Sequence, residues 1–192
     1  MLTASSKPVH PAAVHFPIAF LGLAYGLDLA HTFSGSLPGF IANNIPGAAD
    51  ISRITYFLFS LGLITALPAW ITGVREAVVQ ISRTGMFEVQ EYSTVMREKF
   101  KPMIAHAVFN NVHLALATFV WYRRRAALKD SVAGKLIGTN NPAAAAYQPK
   151  TWMIAVEGLL FVILMAAANV GSVLTYNFGM GMQIGGGQKK KA

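Results

Sequence analysis

Four long apolar segments set the strongest constraint on how this chain folds, and they lie at residues 11–33, 54–74, 103–122 and 152–176. Each is close to the ~20 residues that a helix needs to cross ~30 Å of hydrocarbon. Backbone groups inside a bilayer must hydrogen-bond within their own segment, and a helix achieves this. The segments therefore predict an all-α integral membrane protein, a four-helix bundle with both termini on the same side of the bilayer.

The composition agrees with a membrane protein and excludes several other classes. The 192-residue chain is 54% hydrophobic and 12% charged, whereas a soluble domain carries about 25% charged residues. It has no cysteine, which excludes disulfides, thiolate zinc sites and cysteine-held iron–sulfur clusters. The net charge of +8 includes basic clusters at residues 123–125 and 189–191. Such clusters flank membrane spans and contact anionic head groups, so we expect a lipid bilayer and no nucleic acid as partner.

The segments between the spans predict the remaining organisation. Residues 34–53 and 123–150 contain turn-forming residues and predict loops on one side of the membrane. Residues 75–101 mix charged and apolar residues and predict a short surface helix region on the other side. Residues 1–182 thus form one four-span domain, followed by a flexible Gly/Lys tail at 183–192. A small excess of Lys and Arg beside the termini predicts that this multi-pass protein keeps its termini on the cytosolic or matrix side.

Polar side chains inside the first and third spans identify candidate functional residues. A helical projection places His15 on the same face as a stripe of small residues, Ala19, Gly22, Gly26 and Ala30. Such a stripe lets two helices approach closely, so we expect His15 to face inward. In the third span, His106, Asn110 and His113 share one face, and polar side chains in a lipid-embedded helix point into the bundle.

The opening "HPAAVHFPIAF", together with "LPAWITG", "HAVFNN" and "LTYNFGMGM", resembles a family of small membrane proteins called domain of unknown function 2231. The resemblance extends from about His10 to Met182. It implies a four-helix membrane bundle whose histidines match His10, His15 and His106, and it supplies no established activity. The basic loop at residues 123–150 and the lysine tail are particular to this chain.

The histidines support a redox hypothesis. Two inward imidazoles on facing membrane helices can hold a b-type haem, with His15 and His106 as axial ligands and Asn110 orienting the site. This would make the chain an electron-transfer protein with a redox protein as partner. In the alternative hypothesis, the chain is a cofactor-free structural or assembly protein whose histidines only pack helices together.

A second alternative is a transition-metal site formed by His10, His15, His106 and His113, because imidazole binds zinc, copper and iron. Ideal helical geometry points His10 about 140° away from His15. A kink at Pro17 would be needed to bring these two rings together.

Two acids also lie inside predicted spans. Asp28 and Glu157 could belong to a proton route toward the histidines, or they could pair with Arg53, Arg123 or Arg124. No nucleophile–base spacing or hydrolase signature is present, so we do not expect a hydrolytic or transferase enzyme, and a redox role stays open.

Overall fold

Long helices account for most of the structure, a computed structural model that describes the backbone of residues 9–136 and 147–180 and the side chains of residues 9–126 and 147–180. The elements, in chain order, are α1 (Val9–Thr32), a 3₁₀ turn (Ser34–Ser36), α2 (Gly39–Ala42), α3 (Ala48–Thr84), β1 (Phe87–Gln90), β2 (Ser93–Met96), α4 (Phe100–Leu136) and α5 (Thr151–Phe178). The predicted flexible tail at residues 183–192 lies outside the described residues.

Four of these helices, α1, α3, α4 and α5, are long and apolar enough to cross a membrane. Their outward surfaces carry large apolar side chains such as Phe16, Ile64 and Val162, each about 60% exposed. Apolar side chains on the outside suit a helix bundle whose solvent is lipid. The structure thus confirms the prediction of a mostly helical, four-span membrane bundle.

Glycines mark the ends of two of the long helices. Gly85 follows α3 with a φ of 65°, and Gly179 follows α5 with a φ of 63°. A positive φ is costly for residues that have a Cβ, so glycine is the usual residue just past a helix end. At the end of α5, the Gly179 amide donates to the Thr175 carbonyl oxygen at 3.1 Å.

The packing of the helices places α1 and α4 across the bundle from each other. Helix α1 packs against α3 and α5, and α4 packs against α5 and α3. Buried residues from all four helices form the core, among them Leu21, Tyr25, Phe59, Val120 and Leu160. Because α1 and α4 are diagonal neighbours, their inward side chains meet along the centre of the bundle.

The prediction of surface helix for residues 75–101 holds for residues 75–84 and is wrong for residues 87–96. Helix α3 continues to Thr84, and the chain then forms an antiparallel β-hairpin in which Phe87 pairs with Met96. An ion pair of 3.1 Å between Arg97 and Glu88 joins its two sides. The physical reason lies in "FEVQEYSTVM", in which β-branched residues and alternating polarity favour strands over a helix.

The predicted loops also contain more helix than expected. Residues 123–136 continue α4, because Arg, Ala, Leu and Lys are strong helix formers. Residues 137–146 of the same predicted loop lie outside the described part of the chain. Residues 34–53 include the 3₁₀ turn, α2 and the start of α3. Pro17 lies inside α1, which runs without interruption from Val9 to Thr32.

Helices α1 and α3 are in tight contact at Gly62 of α3. A Cβ at this position would lie 2.5 Å from Cγ of Leu21, whereas a Cβ at Gly26 would meet nothing within 4 Å. We expect Gly62→Ala to cost about 1–3 kcal/mol of stability through overpacking. Gly26→Ala, as the matched control, should be neutral or stabilising by up to about 1 kcal/mol. Thermal unfolding in detergent measures both, and equal melting temperatures for the two variants would contradict the predicted contact.

Candidate functional site

A pair of histidines faces the interior at one end of the bundle. His10 of α1 and His106 of α4 have ring centroids 6.5 Å apart, and their ring planes are nearly perpendicular, at 83°. Both residues are half-buried. Since α1 and α4 are diagonal neighbours, the two imidazoles meet across the bundle rather than along one helix–helix contact.

Backbone carbonyl groups determine that Nδ1 carries a proton in both rings. Nδ1 of His10 lies 3.0 Å from the carbonyl oxygen of Ala69, and Nδ1 of His106 lies 3.0 Å from that of Ala167. A carbonyl oxygen only accepts hydrogen bonds, so each Nδ1 must carry a proton and donate it. In the neutral ring, Nε2 then carries a free lone pair, which is the form that binds metals.

Each imidazole lies against a glycine of the neighbouring helix. A Cβ at Gly73 would lie 2.8 Å from Cε1 of His10, and a Cβ at Gly171 would lie 3.0 Å from Cε1 of His106. In both cases the glycine comes four residues after the alanine whose carbonyl accepts from Nδ1. The two histidines are therefore held in the same way, one by α3 and the other by α5.

His15, the predicted partner of His106, lies elsewhere. It is exposed on the outside of α1, so the structure does not bring it to His106. The buried face of α1 carries Leu21, Tyr25 and Asp28, which lie about 220–280° from His15 at 100° per residue. His10 falls at about 220° as well. The small-residue stripe therefore does not mark the inward face, which large side chains occupy instead.

The other two predicted residues of the third span have partners of their own. His113 is buried, and its Nε2 lies 3.3 Å from the hydroxyl oxygen of Tyr25. Asn110 donates from Nδ2 to the backbone carbonyl oxygen of His106 at 2.8 Å, and not to its ring. Asn110 therefore supports the helix that carries His106 and leaves the orientation of the imidazole to Ala167.

The four histidines of the hypothetical metal site do not gather in the structure. Only His10 and His106 approach each other, while His15 is exposed and His113 contacts Tyr25. Among the described residues, no group of three or more His, Cys, Asp or Glu is placed to hold a metal ion.

A buried cluster of charges lies at the opposite end of α1 and α4. Nη1 of Arg124 lies 2.6 Å from Oδ2 of Asp28 and 3.2 Å from Oε1 of Glu157. All three side chains are at most 2% exposed. The structure thus pairs both acids with one cation, and of the three arginines considered from the sequence, Arg124 forms these ion pairs.

Neutral groups complete the hydrogen bonding of this cluster. Arg124 donates from Nη2 to Oγ1 of Thr55 at 2.8 Å and from Nε to the carbonyl oxygen of Tyr147 at 3.0 Å. Thr55 in turn donates to Oδ1 of Asp28 at 2.9 Å. A guanidinium and a carboxylate are costly to bury without partners, so these bonds explain how the charges remain in an apolar bundle.

The sequence contains a signal that could have found both sites. Asp28 follows His10 by 18 positions, and Arg124 follows His106 by 18 positions. That spacing is five full turns of a helix, which places both residues of each pair on one face and about 27 Å apart. A search for polar residues at this spacing would have chosen His10 over His15.

Fold and site together define a class: a multi-pass membrane protein with polar pairs between two diagonal helices. The chain matches the family described as "Predicted membrane protein (DUF2231)" over residues 6–184, and it belongs to that family. This confirms the resemblance noted from the sequence. No curated protein and no solved structure matches the chain significantly.

The buried cation should be essential for folding. Replacing Arg124 by Met would leave two buried carboxylates without their counter-charge, and breaking a buried pair in this way costs about 3–5 kcal/mol. The neighbouring Arg123 is exposed, so Arg123→Met should change stability by less than about 0.5 kcal/mol. Expression yield and thermal unfolding in detergent compare the two variants. Similar stability of both would show that the ion pairs do not hold the bundle together.

Proposed function

We propose that this protein binds a b-type haem between His10 and His106 and acts in electron transfer within the membrane. The observation that carries the proposal is the facing pair of imidazoles, each with a donated Nδ1 proton and an available Nε2. The proposal keeps His106 from the sequence hypothesis and replaces His15 by His10.

The two rings are close enough for both imidazoles to bind one metal centre. An imidazole nitrogen lies about 2.0–2.1 Å from a bound metal ion, so two imidazoles that would hold the same metal must lie close together. The centroids of His10 and His106 are 6.5 Å apart. The hydrogen bonds to Ala69 and Ala167 also match the usual support of a metal-binding histidine, because donation from Nδ1 orients the ring and raises the basicity of Nε2.

The number of donors favours haem over a bare metal ion. Zinc in a structural protein site usually has four ligands from the protein, but only two imidazoles meet here, and no third His, Cys, Asp or Glu joins them among the described residues. A porphyrin supplies four nitrogens of its own and needs only axial ligands from the protein. Gly73 and Gly171 leave room for the two imidazole rings, because a Cβ at either position would crowd the ring.

The residues of the chain have distinct tasks in this proposal. His10 and His106 would supply the axial nitrogens, and the haem iron would supply the one-electron chemistry when bound. Ala69 and Ala167 would hold the two rings through their carbonyl oxygens. The opposite end of the bundle, where Arg124 is buried, has no part in binding the haem.

Absorbance spectra of detergent-purified protein, expressed with haem supplied, test the proposal. The wild type should show a sharp Soret band and, after dithionite, a narrow α-band typical of two axial histidines. His10→Ala and His106→Ala should each reduce bound haem by more than about tenfold, and His106→Gly should recover part of it when free imidazole is added. His15→Ala is the matched control and should keep the spectrum, because His15 is exposed.

Two results would contradict the proposal. A wild-type protein that stays colourless when haem is supplied would favour histidines that only pack helices. Retention of the spectrum in folded His10→Ala, with loss in His15→Ala, would restore the pair expected from the sequence alone. Metal analysis of the same samples separates iron in haem from a directly bound ion.

A further inference from the structure

The charges of the buried cluster do not balance. Arg124 contributes one positive charge, and Asp28 and Glu157 contribute two negative charges when both are ionised. Arg124 is the only fully buried Lys or Arg among the residues whose side chains are described. A net negative charge enclosed in a bundle that crosses a membrane is costly unless a proton or a cation compensates it.

The two acids differ in how well their oxygens are bonded. Asp28 accepts from Nη1 of Arg124 at 2.6 Å and from Oγ1 of Thr55 at 2.9 Å, so both of its oxygens have donors. Glu157 has only the longer bond of 3.2 Å at Oε1. Its other oxygen, Oε2, has no hydrogen-bond partner. The side chain is 0% exposed, so bulk water does not supply one.

The position of Glu157 next to Asp28 indicates what its free oxygen could bind. Oδ2 of Asp28 and Oε1 of Glu157 both contact Nη1 of Arg124, at 2.6 and 3.2 Å, which brings the two carboxyl groups close together. Two ionised carboxylates repel and cannot form a hydrogen bond, whereas a protonated carboxyl donates to an ionised one. One proton on Glu157 would therefore remove the excess charge and convert the repulsion into a hydrogen bond.

Among the residues whose side chains are described, other titratable groups surround the cluster, and most of them contact groups other than the two acids. On α1, Tyr25 has its hydroxyl 3.3 Å from His113, and His31 lines a cavity beside Asp28. On α3, Tyr56 stacks on Tyr147, which lies just before α5, with ring centroids 4.0 Å apart. On α4, Arg125 is exposed and lies over the ring of Trp121, 5.9 Å from its centroid.

We propose that Glu157 and Asp28 form a buried proton-binding site beside Arg124, in which one proton resides on Glu157 and is donated toward Asp28. The proton comes from water and returns to water, so no other reactant is needed. The site is independent of the histidine pair, which lies at the other end of α1 and α4.

A cavity gives this site access to water. It has a volume of about 60 Å³ and is lined by Asp28, His31, Ser52 and Pro149 among others. That is room for a few water molecules, since one needs about 10–15 Å³ by the same kind of measure. Asp28 belongs both to the cavity wall and to the ion pair, and in this proposal it is the group through which protons move between the cavity and Glu157.

Infrared spectroscopy of the detergent-purified wild type at neutral pH tests the proposal. It should show the carbonyl stretch of a protonated carboxylic acid, and the band should shift within minutes in D₂O. Glu157→Gln should remove the band. Asp28→Asn should also remove it, because one carboxylate then balances Arg124. Glu88→Gln in the exposed hairpin is the matched control and should leave the band unchanged.

The proposal is overturned if the wild type lacks the band, or if the band persists in Glu157→Gln. A band that does not shift in D₂O would exclude the cavity as its access route. A wild type without the band whose melting temperature rises with sodium concentration would identify a cation site instead. Because the first measurement uses the wild type, the proposal stays testable even if a variant fails to fold.

Discussion

The ion pairs of Arg124 with Asp28 and Glu157 are the constraint on which the rest of the bundle depends. These residues come from α4, α1 and α5, and Thr55 adds α3, so a single guanidinium fixes the rotation of all four spans. Apolar contacts alone fix rotation poorly in a bilayer, because lipid chains are as apolar as leucine. Once Asp28 and Arg124 face inward, the five-turn spacing makes His10 and His106 face inward too.

Much of the architecture could be predicted from the sequence because it depends on length and polarity alone. Twenty apolar residues cross a bilayer in nearly any sequence context, so the four spans follow directly. Asp28 and Glu157 lie inside the spans and therefore indicated partners of opposite charge. Arg124 was one of the three arginines considered as a partner. The hairpin at residues 87–96 was missed because its alternation of polarity is short and follows a long helix.

The histidine site could be predicted only in part, because the inward face of α1 was taken from the wrong signal. Small residues were expected to mark the helix contact, as they do where two backbones approach closely. In this bundle the core is filled by large side chains such as Leu21 and Tyr25, and the close approach at Gly62 belongs to α3. Which face of a helix is buried depends on the neighbouring helices, and a single-helix projection contains no information about them.

The matching placement of His10 and His106 has a consequence for the symmetry of the molecule. Helices α1 and α3 form one half of the bundle, and α4 and α5 form the other. Two identical pairs of helices related by a two-fold axis could supply both histidines, with each histidine on the first helix of its pair against a glycine on the second. The same axis would set Asp against Asp, or Arg against Arg, at the far end, and like charges would drive the halves apart. Joining the halves in one polypeptide removes that restriction, so the first half can carry Asp28 at the position where the second half carries Arg124.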